Sequence, residues 1–342
     1  MPPRWPIGLL VAAAGMALAP PHAAAQDFYA GKTIDFIVGH YVGGGYDIYA
    51  RAVGRHLARH IPGNPAIVMR NMPGAGSAKA GLHITHTAAR DGTVIGAVTP
   101  GAIMSALLDG RSDSTFDPTR VNFIGTANHG TRICVTMKEA GAQTFADMLK
   151  TKTVIGGVAV NDATHDYAHM VKNVTGAPLA IVAGYNGTAN IGLAMERGEV
   201  DGSCGWDWAS FKSQRARWLQ ENRVNVLTQI GQDLDEDLTR RGAPPIWNFI
   251  RNEDDRKAVE LIISQQVFHR SYIAPPGVPA PRLAILRTAF LATMKDPQFL
   301  ADAEKTGIDI APLDGGKIQD LIARLAAAPD AVVQRAKRVI RP

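Results

Sequence analysis

Ile34-Asp35-Phe36-Ile37-Val38-Gly39, followed by Tyr41-Val42-Gly43-Gly44-Gly45-Tyr46-Asp47, is the stretch whose reading decides the fold class. Ile34, Phe36, Ile37 and Val38 are β-branched or aromatic and the run stops at Gly39, the mark of a short buried strand. After the glycines, Ile48, Ala52, Val53 and Leu57 recur at helical spacing and define one apolar face. A strand that runs through a glycine loop into an amphipathic helix is the first half of a β-α-β unit.

The same alternation continues. Ile67 to Arg70 and Val94 to Val98 read as strands, with a helix-compatible stretch from Ala78 to Ala89 between them. Ile133 to Met137 and Val154 to Val158 read as strands, separated by a helix over Thr144 to Lys150 and followed by another over Ala163 to Val174. A helix from Asn190 to Arg197 leads to a strand ending near Asp201. Such alternation predicts parallel β-α-β units in an α/β protein. The second half has the plan of the first without a detectable repeat. Gly242 to Asp255, rich in Pro and charge, suggests a crossing between lobes, and Pro275-Pro276-Gly277-Val278-Pro279 is a breaker run. Helices follow, one with Leu283, Leu286, Phe290 and Met294 in register and one over Lys317 to Ile340.

Composition narrows the function classes. A chain 46% apolar and 20% charged is ordinary globular protein. The formal charge of +5, spread without a run of five like charges, does not point to nucleic acid. Arg4, an apolar stretch from Ile7 to Ala19 and the run Ala23-Ala24-Ala25 form the three parts of a secretory leader cut near Ala25. That apolar stretch is shorter than the ~20 residues needed to span a bilayer. Residues 1–25 are therefore expected to leave, giving a periplasmic chain of about two domains.

The glycine loop has its own chemistry. Between a strand and a helix, unpaired backbone N–H groups and the helix dipole favour negative charge. Gly43, Gly44 and Gly45 let a carboxylate approach the main chain, and Asp47 is placed to cap the helix by accepting from N–H groups two or three residues on. A tight turn explains three glycines equally well. No Gly-Lys-Ser/Thr follows, the glycines at 74, 76 and 81 miss the dinucleotide spacing, and no Gly-x-Ser-x-Gly elbow occurs. Nucleotide cofactors and a serine hydrolase are not indicated, and no cofactor is expected.

His165-Asp166-Tyr167-Ala168-His169 places two histidines at i and i+4, as in helical zinc sites. Aspartate where such enzymes carry glutamate shortens the reach of the base, and spacing shows no third ligand. A zinc-dependent hydrolase using His165 and His169 is therefore the alternative reading, and a purely structural periplasmic protein a third. Trp206 and Trp208 flank Asp207 and suit either a cleft that grips a ligand or core packing. Arg51, Arg55 and Arg59 share a helix face and read as a solvated surface, as do His83 and His86. Cys134 and Cys204 are the two cysteines of the chain. In an exported protein such a pair is a disulfide or two buried thiols rather than a metal site.

Taken together, these segments resemble the Bug-type extracytoplasmic solute receptors, the binding components associated with tripartite tricarboxylate transporters. The likeness is carried by Gly43-Gly44-Gly45-Tyr46-Asp47, Asn71-Met72-Pro73-Gly74-Ala75-Gly76 and Asp91-Gly92-Thr93. It continues in Tyr185-Asn186-Gly187 through Gly198-Glu199-Val200-Asp201 and in Ala274-Pro275-Pro276-Gly277-Val278-Pro279-Ala280, covering nearly all of the chain after the leader. It implies a two-lobed type II periplasmic-binding fold with a hinge and an interlobe cleft. The ligand's carboxylate would be held by main-chain groups and ordered water at the glycine loop, and a second loop, Val160 to His165, would close from the other lobe. Two departures touch the ligand: His40-Tyr41-Val42 stands where the family has a Pro-rich lead, and Asn161-Asp162-Ala163-Thr164-His165 lacks its Gly-x-Gly-Thr.

The expectation is thus an α/β chain with lobe one from residues 26–127 plus 248–342 and lobe two from 128–247. It is expected to be a monomeric, non-enzymatic binder of a small organic carboxylate that serves membrane transporter subunits. The expected ligand-binding residues are Tyr41, Gly43, Gly44, Gly45, Asp47, Asp162, Thr164, His165, Tyr185, Trp206 and Asp207, with Cys134 and Cys204 bridged.

Overall fold

The computed structural model describes residues 28–109 and 116–342; the expected leader and its cleavage point lie outside them. In chain order the strands are β1 (Thr33–Val38), β2 (Ala66–Asn71), β3 (Val94–Ala97), β4 (Asn122–Thr126), β5 (Arg132–Met137) and β6 (Thr153–Gly156). There follow β7 (Leu179–Val182), β8 (Gly202–Asp207), β9 (Val224–Ile230), β10 (Ser271–Ala274) and β11 (Leu313–Asp314). They form two open sheets, ordered β11-β4-β10-β3-β1-β2 and β7-β6-β8-β5-β9. The chain passes from the first sheet to the second between β4 and β5, and returns between β9 and β10.

β1 runs parallel to both β2 and β3, as the β-α-β reading requires. Its Ile34, Phe36, Ile37 and Val38 are buried, and Phe36 meets Tyr272 edge-on at 5.5 Å, with Phe290 against the same tyrosine. Each such ring contributes about 1.5–3 kcal/mol by leaving water. The second sheet mixes directions: β5 is antiparallel to β8 and β9, whereas β6 is parallel to β7 and β8. Its core holds Ile133, Val135, Trp206, Phe211 and Trp218.

Several local expectations change. The residues from Gly202 to Asp207, read as following a strand that ends near Asp201, are themselves β8. Its glycines serve close packing. A Cβ on Gly202 would stand 2.1 Å from the Val135 carbonyl oxygen, and one on Gly205 2.2 Å from that of Ala163. The expected helix from Ala78 to Ala89 is α-helical only over Ala78–Leu82 and widens into a π-type turn over His83–Thr87. The arginine stripe is not simply solvated: Arg51 pairs with Asp47 in its own helix, while Arg55 with Asp302 and Arg59 with Asp296 tie the Gly45–Leu57 helix and the turn after it to the Pro297–Thr306 helix and its cap.

Cys134 and Cys204 are joined by a disulfide, their Cα atoms 4.0 Å apart across the β5–β8 pair. The register there shifts between Ile133 and Cys134, with Gly205 as the extra residue on β8.

Candidate functional site

Four helix N-termini meet between the sheets, one of them that of the Thr188–Glu196 helix, whose N-cap Gly187 offers no side-chain acceptor. The Ala163–Thr175 helix is capped by Asp162, which accepts from the Thr164 backbone N–H at 2.9 Å and from its hydroxyl at 2.7 Å. The Trp208–Gln220 helix is capped by Asp207, which accepts from the Ser210 N–H at 2.8 Å and its hydroxyl at 2.7 Å. The Gly45–Leu57 helix, like the Thr188–Glu196 helix, has a glycine N-cap, Gly44, that provides no side-chain acceptor. Its positive end is left for whatever occupies the space in front of it.

Asp47 does not cap that helix, contrary to expectation. Its carboxylate turns back to accept from the Gly43 N–H at 2.9 Å, from Arg51 at 2.9 Å and from Asn71 at 2.8 Å. Burial pushes its pKa up, but these hydrogen bonds outweigh burial and hold it below the usual carboxylate range. Asp47 braces the glycine loop from behind.

The cavity in front of the helix ends is about 20 Å³, room for a single water-sized molecule. Of the residues expected from the sequence, it is lined by Gly45, Asp162, Thr164, Trp206 and Asp207. Tyr41, Gly43, Gly44 and Tyr185 lie outside the lining, the two tyrosines half-buried against the second sheet's core. His165 also lies outside, bonded to Asp166 at 3.0 Å and facing His169 at a ring separation of 4.5 Å. Trp208 is turned onto Phe211, 5.9 Å away, rather than into the cavity.

Two arginines missed from the sequence complete the lining. Arg132, the first residue of β5, and Arg270, just before β10, are 2% and 3% exposed. Arg270 Nη2 donates to Asp207 Oδ1 at 2.8 Å and to Ser210 Oγ, and its guanidinium lies between Tyr46 and Tyr49, 4.3 and 4.5 Å from the ring centres. Arg132 donates to Tyr46 Oη at 3.2 Å and to the Gly205 carbonyl at 3.4 Å. Nothing in a single sequence distinguishes these two from the other arginines and lysines of the chain.

One contact spans the cavity. His40, after β1, meets Asp162, before the Ala163–Thr175 helix, at 3.2 Å. Burial raises the Asp162 pKa, but His40 and Thr164 more than offset this, so the carboxyl lies below its ordinary value. Gly45 allows the approach of the second sheet's helix: a Cβ there would stand 2.3 Å from Ser210 Oγ. Among the described residues no group of three or more His, Cys, Asp or Glu side chains is gathered as metal ligands, which does not favour the zinc reading.

The two sheets, the crossings and the cavity between them match known structures. The chain has the periplasmic-binding-protein fold. It is similar to the structure of the periplasmic binding protein BugD, with a TM-score of 0.70 and 16% identity over 92% of this chain and 99% of that one. It is also similar to Rpa4515 of R. palustris with adipate, at a TM-score of 0.69 and 16% identity over 90% and 97% of the two chains. A third similar structure is MatC from Rhodopseudomonas palustris with bound malate, at 0.67 and 15% over 90% and 99%. No family model and no curated protein matches the sequence.

Proposed function

We infer that the chain is an exported solute-binding protein that encloses a small organic carboxylate between two lobes and presents it to a tripartite tricarboxylate-type transporter in the membrane. The observation that carries this reading is the uncapped N-terminus of the Gly45–Leu57 helix, opening on a buried interlobe cavity lined by Arg132 and Arg270. Amide N–H groups and guanidinium groups are all donors, and a carboxylate is the acceptor they fit. Adipate and malate in the similar structures support that class of ligand.

The lobes are residues 26–127 with 248–342, and 128–247; the segregation of the strands into two sheets supports this division. Hinging at the two crossings admits the ligand, because the cavity is too small to fill without the walls separating. Gly45, Asp162, Thr164, Trp206 and Asp207 contact the ligand. Gly43, Gly44 and Asp47 shape the loop, while Tyr41, His165 and Tyr185 support the surrounding walls. The leader directs the chain to the periplasm.

Thermal unfolding in the presence of a carboxylate panel that includes adipate and malate tests the reading. A ligand at a hundredfold excess over Kd stabilises the fold by about 2.7 kcal/mol. A panel in which no carboxylate raises Tm overturns it.

A further inference from the structure

The turn before the Ala163–Thr175 helix reaches across to the other lobe, and glycines shape the surface that receives it. A Cβ on Gly101, in the first turn of the Pro100–Asp109 helix, would stand 2.0 Å from the Asn161 carbonyl oxygen, and the three atoms nearest to it all belong to Asn161. A Cβ on Gly76 would stand 2.6 Å from the Val160 carbonyl oxygen and 2.7 Å from Asn161 Cβ. Thr99 ties these walls together: its hydroxyl donates to the Gly76 carbonyl at 2.7 Å, and its N–H to Ser77 Oγ at 3.2 Å. Backbones approach this closely only where no side chain stands between them. Residues 160–162 therefore sit in a fitted slot.

The tip is also fastened twice. Asn161 holds a left-handed conformation, φ +70°, which asparagine tolerates better than most residues, and its N–H donates to Asp166 Oδ1 at 3.0 Å. Asp162 meets His40, 122 residues away in sequence, at 3.2 Å. Arg341 divides its guanidinium between the lobes: Nη1 donates to Asn161 Oδ1 at 3.1 Å and Nη2 to Asp109 Oδ2 at 3.1 Å. The rigid fork of arginine fixes the spacing of those two partners. Gly76, Gly101 and Arg341 lie outside the lining of the cavity, so this fastening is separate from contact with a solute.

We propose that residues 160–162 form a bolt that sets the closed position of the lobes, with Gly101 as the floor of its socket and Arg341 as its fastening. This goes beyond the solute-binding reading and rests on the division into lobes given above. Hinge opening withdraws the tip, so whatever fills the socket or frees the fork shifts the balance between open and closed forms.

Spin labels at Val68→Cys and Val182→Cys report the separation of the lobes. Both positions are exposed, on β2 and β7, the outer strands of the two sheets, and the native cysteines are bridged. Without ligand, Gly101→Ala is expected to move the distance distribution to longer separations, because its methyl group and the Asn161 carbonyl cannot share the slot. Its Tm is expected to hold or rise, since alanine suits a helix better than glycine. Affinity for adipate or malate is expected to fall by the factor by which the closed fraction falls. Arg341→Met is expected to broaden the distribution and Arg341→Lys to restore part of it, and this pair decides if Gly101→Ala does not fold. A distribution unchanged from wild type in Arg341→Met, or in folded Gly101→Ala, overturns the inference. Failure of wild type to bind any carboxylate overturns the carboxylate reading instead, and the distances still decide this one.

Discussion

Asp207 Oδ1 lies 2.8 Å from Arg270 Nη2, with both side chains 2% exposed. The same oxygen caps the Trp208–Gln220 helix, so one carboxylate neutralises a buried cation and terminates a helix. Asp207→Ala removes both functions and leaves Arg270 buried without its counter-ion. A loss of about 3–5 kcal/mol is expected in urea unfolding. Asp207→Asn keeps an acceptor for the cap and is expected to lose less; equal losses would show that the cap contributes nothing.

Gly45 faces Ser210 and Arg270 with no room for a methyl group. Gly45→Ala is expected to cost about 1–3 kcal/mol by overpacking and to weaken ligand binding, because it holds the helix end away from Ser210. Gly43→Ala provides the contrast. Its Cβ meets nothing within 4 Å, but its φ of +77° strains any side chain, so stability drops by about 1 kcal/mol with little change in affinity. Calorimetry beside urea unfolding separates the two.

His169 introduces a pH dependence distinct from that of the carboxylates. Burial, assisted by His165, Lys172 and Arg341, lowers its pKa to about 4. Between about pH 6.5 and pH 4 the unfolded chain therefore takes up a proton that the folded chain refuses, and stability falls with pH. Asp166, raised by burial, acts in the opposite sense, but it is common to wild type and variant. His169→Gln is expected to flatten the acid limb of Tm against pH, and an unchanged limb would assign it to other groups.

The Cys134–Cys204 bridge spans a sequence separation of 70 residues. Closing such a loop in the unfolded chain is worth roughly 4 kcal/mol as an upper figure. Denatured, unreduced protein is expected to show no reactive thiol, and the Cys134→Ala/Cys204→Ala pair to unfold at clearly lower urea. Two reactive thiols per chain would remove the bridge.

The strand, glycine loop and helix from Ile34 to Leu57 were legible because hydrophobic period and glycine act locally. β8 was not, because Gly202 and Gly205 answer to Val135 and Ala163, neighbours that only the fold supplies. The site divides in the same way. Gly45, Asp162 and Asp207 sit at helix starts, which leave a sequence signal. Arg132 and Arg270 sit at strand starts, and their burial depends on the sheets closing over them. Asp47 departs from its expected role because an acid in a first helical turn can cap forwards or, as here, brace backwards through Gly43, Arg51 and Asn71.

The β5–β8 pairing sets Arg132 opposite Asp207, and two residues along β5 the same pairing is made covalent at Cys134 and Cys204. A strand that slips by one residue turns each of its side chains to the other face, which would carry the Arg132 guanidinium out of the cavity. The bridge thus adds a covalent hold to a register that the buried faces of β5 and β8 already set, placed two residues from the arginine that lines the cavity.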